Sequence, residues 1–325
     1  MQAWFCETLD GPDALTWKDA PTPEPGKGEV RVAIRAASLN FPDLLIVQGK
    51  YQMKPPLPFV PGAEFAGVVE AVGEGVKHLG VGTHVAGFAG TGGFGTHTLA
   101  PAFALMPLPP AFSFEDAAAF LCTYGTTYHA LMDRAALKAG ETVLVLGAAG
   151  GVGTAAIQIA RAAGAKVIAA ASTDEKCALC TQLGADATIN YTTQNLREAL
   201  KAITEGKGPD VVYDPVGGEL TEQAFRSIAW RGRHLVVGFA NGAIPNLPLN
   251  LALLKGASVM GVFWGEFAKR EPQNNAACLM QLAAWYMEGK IKPVIEHTLP
   301  MSALKQAFDL MGSRQVRGKV VLTNG

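Results

Sequence analysis

Cysteine is scarce in this chain. Five residues, Cys6, Cys122, Cys177, Cys180 and Cys278, are an odd number among 325, which argues against a disulfide framework and for reduced thiols. Long apolar runs are missing too: no stretch approaches the ~18 residues of a membrane span, and the opening MQAWFCETLDGPD lacks the basic and apolar segments of a secretory signal. A cytoplasmic protein is the expectation. Neither charge sign dominates, with 27 Lys and Arg against 28 Asp and Glu for a formal net charge of −1. No basic run or aromatic-interleaved basic patch suggests nucleic acid. Paired metal spacing is also absent from His78, His84, His97, His129, His234 and His297. Cys177 and Cys180 form a C-x-x-C with no second pair to complete a zinc site, leaving helix packing or a redox pair as its readings.

What is present divides near residue 110. The first part is rich in Gly and Pro, and short β-branched runs such as EVRVAIRAASLN, FAGVVEAVG and THVAGF stand between turn signals, the pattern of a compact β domain. Ser113 then caps a predicted helix, SFEDAAAFLCTYGTTYHALMDRA, with Glu115 and Asp116 in its first turn. From about residue 141 apolar strands alternate with helices: TVLVLGA, AKVIAAAS, ATINY, PDVVYDPVG, GRHLVVGF and SVMGVFW. Continuous apolar strands separated by helices predict a doubly wound parallel sheet covered on both faces, a Rossmann-type α/β domain. The tail adds helices at AACLMQLAAWYMEGKI and MSALKQAFDLMGS and a last strand, GKVVLT.

The stretch GAAGGVGTAAIQIA carries Ala148, Gly150 and Gly153 at the three positions of a dinucleotide-binding turn, between the strand ETVLVLG and a helix. A glycine at 150 lets backbone approach a pyrophosphate, one at 153 permits close helix–strand packing, and the unpaired amides of the helix start face the negative charge. NAD enzymes place an acid at the end of the next strand to hold the ribose 2′-hydroxyl. Here that end reads Ala171, Ser172, Thr173, and Asp174 and Glu175 fall into the first turn of the following helix. Lys176 lies in that turn as well, where the helix dipole disfavours a cation, a placement that makes sense opposite a 2′-phosphate. NADPH is therefore the expected cofactor.

In AASLNFPDLLIVQGKY, PFVPGAEFAGVVEAVG, GAAGGVGTAAIQIARAAGAKVIA and RGKVVL, over essentially its whole length, the chain resembles the zinc-independent quinone oxidoreductases. These are the zeta-crystallin-like branch of the medium-chain dehydrogenase/reductase superfamily. The resemblance implies a Rossmann domain at 121–267 and a β-rich, GroES-like catalytic domain assembled from 1–120 and 268–325. It implies that Lys176 and Tyr191 meet the 2′-phosphate with Ser172 beside them, the plainer alternatives being a solvated helix lysine and a strand-end tyrosine packed on the surface, and that Thr126, Ala149, Gly150, Gly151 and Val152 belong to the cofactor site. Phe239, Phe263 and Trp264, each just past a strand, are expected as apolar lining or as core.

Zinc-dependent relatives carry Cys in place of Asn40 and His in place of Ala63, and Cys122 alone falls where a third ligand often lies. One soft ligand does not hold a tetrahedral zinc, so a metal-free site is expected. Hydride transfer then suits an acceptor that is already electrophilic, a quinone or a conjugated carbonyl. Asn40, Asp43 and Tyr51 are the candidate catalytic residues by resemblance. Asn40 and Asp43, three apart, brace a substrate oxygen or form a local capping network. Tyr51 is either pocket lining or, as in related 2-enoyl thioester reductases, a proton donor to carbon. A tyrosine frequent in relatives is Leu45 here, which makes the expected pocket more apolar. A homodimer paired through GASVMGVFW is expected. A structural or RNA-binding role, by analogy with crystallin-like relatives, is the other class of function.

Overall fold

The computed structural model describes residues 1–325 and resolves into two compact units, Met1–Cys122 with Ile295–Gly325, and Thr123–Val294. The first unit is β-rich. It contains β1 (Gln2–Phe5), β2 (Thr16–Asp19), β3 (Glu29–Ser38), α1 (Phe41–Val47), β4 (Glu64–Val72), β5 (His84–Phe88), β6 (His97–Pro101), β7 (Leu105–Pro107) and α2 (Phe114–Ala118). The chain then enters the second unit through α3 (Leu121–Tyr128).

That unit holds β8 (Thr142–Leu146), α4 (Gly151–Ala162), β9 (Lys166–Ala171), α5 (Asp174–Gln182), β10 (Ala187–Asn190), α6 (Leu196–Ile203), β11 (Val211–Asp214) and α7 (Glu219–Ser227). It continues with β12 (Arg233–Val236), α8 (Asn250–Lys255), β13 (Ser258–Gly261), α9 (Trp264–Arg270) and α10 (Pro272–Met287). The chain returns to the first unit with β14 (Ile295–Pro300), α11 (Leu304–Gly312) and β15 (Lys319–Thr323).

The β-branched run EVRVAIRAAS makes β3, which buries every second residue over its first half and both faces at its end. It is the centre of a seven-stranded sheet in the order β14-β15-β3-β4-β5-β7, with β6 also paired to β3. Two pairings matter for the site. Antiparallel β3 and β4 set Ser38 opposite Glu64, and antiparallel β15 sets Val321 opposite Ser38, with Leu39 N–H donating to Val320 C=O at 3.1 Å. The tail strand thus delivers Lys319 beside Asn40.

The second unit is a six-stranded, wholly parallel sheet in the order β10-β9-β8-β11-β12-β13. This is the doubly wound Rossmann arrangement, whose strand order reverses beside β8 and whose ligands lie at the carboxyl ends of the strands. Val143, Leu144, Val145 and Leu146 are all fully buried, as a strand covered on both faces requires.

Two expectations about the chain's course are corrected. The second boundary falls after Val294, not at 267/268, because α10 packs within the Rossmann unit: Trp285 lies 5.7 Å from Tyr128, Asn275 accepts from the Trp264 indole at 2.9 Å, and Leu282 is fully buried. The helix expected after Ser113 is not continuous. Ser113 does cap α2, accepting from Asp116 N–H at 3.1 Å, but α2 ends at Ala118 and a π-helical turn, His129–Arg134, follows α3. The break has a local cause, since the amide of Cys122 donates to the Glu64 carboxylate (2.8 Å) in place of a carbonyl one turn back.

Candidate active site and cofactor turn

In the first unit, the ends of β3, β4 and β15 converge with the start of α1 on a buried polar cluster. Glu64 is fully buried and its two oxygens are shared among several donors. Oε1 accepts from Cys122 N–H at 2.8 Å, and Oε2 accepts from Ser38 Oγ at 2.8 Å and Asn40 Nδ2 at 2.9 Å. The Lys319 ammonium lies 3.6 Å from the same Oε2 and donates to Asn40 Oδ1 at 2.6 Å and to Leu39 C=O at 2.9 Å. A buried carboxylate and a buried ammonium thus compensate each other, as two charges removed from water must.

Asn40 stands at the N-cap of α1, but its amide is turned to Lys319 and Glu64. Asp43 does the capping: Oδ2 accepts from Asn40 N–H at 2.8 Å, and Oδ1 accepts from Ala63 N–H at 3.0 Å. The carboxylate bridges α1 to the loop before β4. Burial pushes the Asp43 carboxyl up to about 7, against the opposing pull of these amides and of Lys319. Burial likewise raises the Cys122 thiol, with Glu64 and Asp43 adding to it and Lys319 opposing, so Cys122 is held as a neutral thiol. Tyr51 is half-buried against the same core. Its phenol is raised by burial and by Cys122 and Asp43, and its hydroxyl makes no hydrogen bond within the chain.

In the second unit the glycine turn sits between β8 and α4. Gly147 takes the left-handed φ of 58°, and Gly150 N–H donates to its carbonyl at 3.0 Å. The first helical bond of α4 is Thr154 N–H to Gly150 C=O at 2.8 Å, which leaves the amides of Gly151, Val152 and Gly153 at the open helix end. Gly150 and Gly153 differ in purpose. A Cβ at Gly153 would stand 2.4 Å from Gly147 O, so only glycine lets helix and strand approach. A Cβ at Gly150 would meet nothing closer than Gly147 O at 3.4 Å, so its bareness answers no demand of the protein's own packing and leaves a cradle for a ligand. Ala149 is buried in the turn and Val152 is half-buried. The turn fits a pyrophosphate.

Ser172 and Tyr191 follow the carboxyl ends of the paired strands β9 and β10, and Lys176 lies in the first turn of α5, directly after β9. Tyr191 N–H donates to Ala171 C=O at 3.1 Å, and Thr192 Oγ donates to Ser172 C=O at 2.8 Å. Thr173 caps α5 by accepting from Lys176 N–H at 3.3 Å, which fixes Lys176 in the first turn. Asp174, which shares that first turn with Glu175, accepts from Asn190 Nδ2 at 2.7 Å.

The other cofactor candidates are dispersed. Thr126 is half-buried on α3, Phe239 is half-buried beyond β12 against Gly217, and Phe263 is 56% exposed at the start of α9. Trp264 is buried, its indole N–H donates to Asn275 Oδ1 at 2.9 Å, and a Cβ on Gly125 would stand 2.7 Å from its ring. The C-x-x-C thiols are both buried free cysteines on α5, raised first by burial.

Two family models match the chain. The alcohol dehydrogenase GroES-like domain matches residues 26–110 and the zinc-binding dehydrogenase family matches residues 151–285. Quinone oxidoreductase-like protein 2 homolog of Nematostella vectensis is 39% identical over 99% of this chain and 88% of its own length. This chain belongs to the quinone oxidoreductase family of the medium-chain dehydrogenases/reductases. Among solved family members, the Escherichia coli quinone oxidoreductase complexed with NADPH superposes with a TM-score of 0.93 at 31% identity, over all of both chains. The Thermus thermophilus quinone oxidoreductase, also solved with NADPH, gives 0.87 at 36%, again over all of both chains.

Sequence reasoning missed Glu64, Lys319 and Ser38 as a family member's buried cluster. The available signal was a charged residue opening each of two apolar strands, EFAGVV and KVVL.

Proposed function

We propose that this chain is an NADPH-dependent, metal-independent oxidoreductase that reduces a quinone or a similarly conjugated carbonyl. The observation that carries the reading is that Ser172 and Tyr191 follow two paired parallel strands beside the first turn of α5, which holds Lys176, while Asp174 is held by Asn190. A ribose 2′-hydroxyl calls for a free carboxylate at this strand end, whereas a 2′-phosphate calls for a cation and hydroxyls. The NADPH complexes of the E. coli and T. thermophilus relatives support the same choice.

Bound NADPH supplies the hydride. The chain's part is to hold and orient. The amides of Gly151, Val152 and Gly153 receive the pyrophosphate, Gly150 leaves room for it, and Thr126, Phe239 and Phe263 complete the set. Metal independence is supported by the donor set. Asn40 and Ala63 stand where zinc-dependent relatives carry two ligands, and the Asn40 amide is engaged by Lys319 and Glu64, which leaves Cys122 as one soft donor. A metal site would need three deprotonated or lone-pair donors facing one point. Without a Lewis acid the acceptor must be electrophilic by itself.

Cofactor titration tests the reading. The wild type should bind NADPH well above NADH, and Lys176→Ala should lose about tenfold for NADPH, the order of a hydrogen bond to a charged group, with little change for NADH. Equal affinities untouched by the substitution would refute it. Activity should persist in chelator.

A second reading, reduction of an enone or enoyl thioester, is favoured by the Tyr51 hydroxyl, which has no partner in the chain. Protonation at carbon needs such a donor, and general acid help contributes about 10² to 10⁴ in rate. Tyr51→Phe assayed with both substrate classes separates them: a large loss confined to alkenes identifies the alkene reductase, and small, equal losses leave the quinone reductase.

A homodimer belongs to the same reading. The edge strand β13 and the neighbouring α8 expose Val259 (46%), Leu249 (79%) and Leu253 (78%). A bare apolar edge is a liability unless another strand or chain covers it.

A further inference from the structure

The mechanism above leaves one fully buried histidine unused. His234 on β12 lies opposite Val212 of the parallel neighbour β11, so its side chain shares a face with Asp214 two residues on. His234 Nε2 donates to Asp214 Oδ2 at 3.2 Å, and Thr221 Oγ donates to the same oxygen at 2.5 Å. Oδ1 accepts from Val216 N–H and Gly217 N–H, both at 2.9 Å. Four donors therefore meet one buried carboxylate at the carboxyl end of β11. Burial alone would raise that carboxyl, and the hydrogen bonds from His234, Thr221 and Gly217 outweigh it, holding it below the usual range.

The turn that Asp214 organises has a particular neighbour. β11 pairs with β8, and a Cβ on Gly147 of the cofactor turn would stand 2.8 Å from Val216 Cγ2. On its other side Gly217 abuts Phe239, with a Cβ there 2.9 Å from the ring. The 215–218 turn is thus wedged between the pyrophosphate turn and a candidate lining residue. Gly217 and Gly218 both take left-handed φ, 72° and 64°, so the turn has little conformational preference of its own and relies on the carboxylate.

We infer that His234, acting through Asp214, is a positioning residue for the cofactor: the His234–Asp214 hydrogen bond sets the 215–218 turn against Gly147 and so shapes the dinucleotide site. The inference rests on the NADPH reading. His234 touches neither cofactor nor substrate, and its contribution is to fix the acceptor that fixes the two amides.

The test uses the full-length protein with His234→Leu, which removes the donor, and His234→Gln, which keeps an N–H of similar reach. Hydrogen exchange at Val216 and Gly217 is measured without cofactor, and NADPH affinity is measured by fluorescence titration. His234→Leu should raise exchange at both amides about tenfold and weaken NADPH about tenfold, the order of one lost hydrogen bond to a charged group. His234→Gln should bring both back to within about threefold of wild type, the scatter expected of one neutral hydrogen bond. Wild-type exchange or wild-type NADPH affinity in His234→Leu overturns the inference, as does equal loss in the two variants. If His234→Leu does not fold, Thr221→Val, which removes the other donor to the same oxygen, must show the same two changes or the inference fails. A wild type that does not bind NADPH at all overturns the cofactor reading instead, and is recognised because exchange at Val216 and Gly217 still responds to the substitutions.

Discussion

Lys319 reaches across from the last strand to stand 3.6 Å from the fully buried Glu64, with Asn40 bonded to both. Two residues from opposite ends of the chain thus form the electrostatic centre of the β-rich unit. Lys319→Met should cost about 3–5 kcal/mol, because it leaves Glu64 charged and uncompensated in the interior. Glu64→Gln in the same chain should recover part of that loss. Denaturant unfolding of the two single variants and the double variant checks the coupling, and additive losses would show that the pair does not interact.

Asp43 gives the unit a pH dependence of definite sign. Its folded carboxyl titrates at about 7 against an ordinary value of 3.8, so between those values the folded state binds more protons than the unfolded one. Stability contributed by Asp43 must then fall as pH rises through that window and level off above it. The stability difference between wild type and Asp43→Asn should be larger at pH 5 than at pH 8. Urea titrations at the two pH values measure it, and a difference that grows with pH would contradict the assignment.

The two glycines of the cofactor turn should separate folding from binding. Gly153→Ala puts a methyl 2.4 Å from Gly147 O and should destabilise the protein by about 1–3 kcal/mol, the usual cost of overpacking. Gly150→Ala meets only ordinary contact within the chain and should leave thermal stability within about 0.5 kcal/mol of wild type, as at sites with no such conflict. Its effect should appear in NADPH affinity, read by titration. Unimpaired NADPH binding by Gly150→Ala would remove the turn from the cofactor site.

The exposed apolar edge predicts its own partner. Leu253→Glu places a charge on the α8 face, where Leu249 and Leu254 are also exposed, and should convert a dimer to monomer in light scattering without loss of the folded circular dichroism signal. A wild type that is already monomeric at working concentration would refute the homodimer.

The parts legible from sequence are those governed by local pattern. Apolar runs alternating with helices spelled out the parallel sheet, and the spacing of Ala148, Gly150 and Gly153 marked the turn between β8 and α4. Lys176 was noticeable because its charge sits in the wrong turn of a helix, whereas Ser172 and Tyr191, each just past a strand, came with the family resemblance. Trp264 stayed open between lining and core because an aromatic residue just past a strand can face either, and its neighbours Gly125 and Asn275 come only with the tertiary structure. The end of the Rossmann unit was placed too early for a related reason. The helix α10 carries apolar residues on several faces, and its partners Tyr128 and Trp264 lie far from it or short of it in sequence.

By itself the sequence determined the fold class and the glycine turn and drew attention to Lys176, because strand and helix periodicity, turn chemistry and helix-end electrostatics act over a few residues. Only the tertiary structure decided that Asp43 spends both oxygens on backbone amides, that Asn40 is held between Lys319 and Glu64, and that His234 braces Asp214. The partners of these groups lie up to 279 residues apart, as Lys319 and Asn40 do, and are joined by strand register. A buried polar group must find a partner wherever the fold supplies one, and no local pattern names which residue that will be.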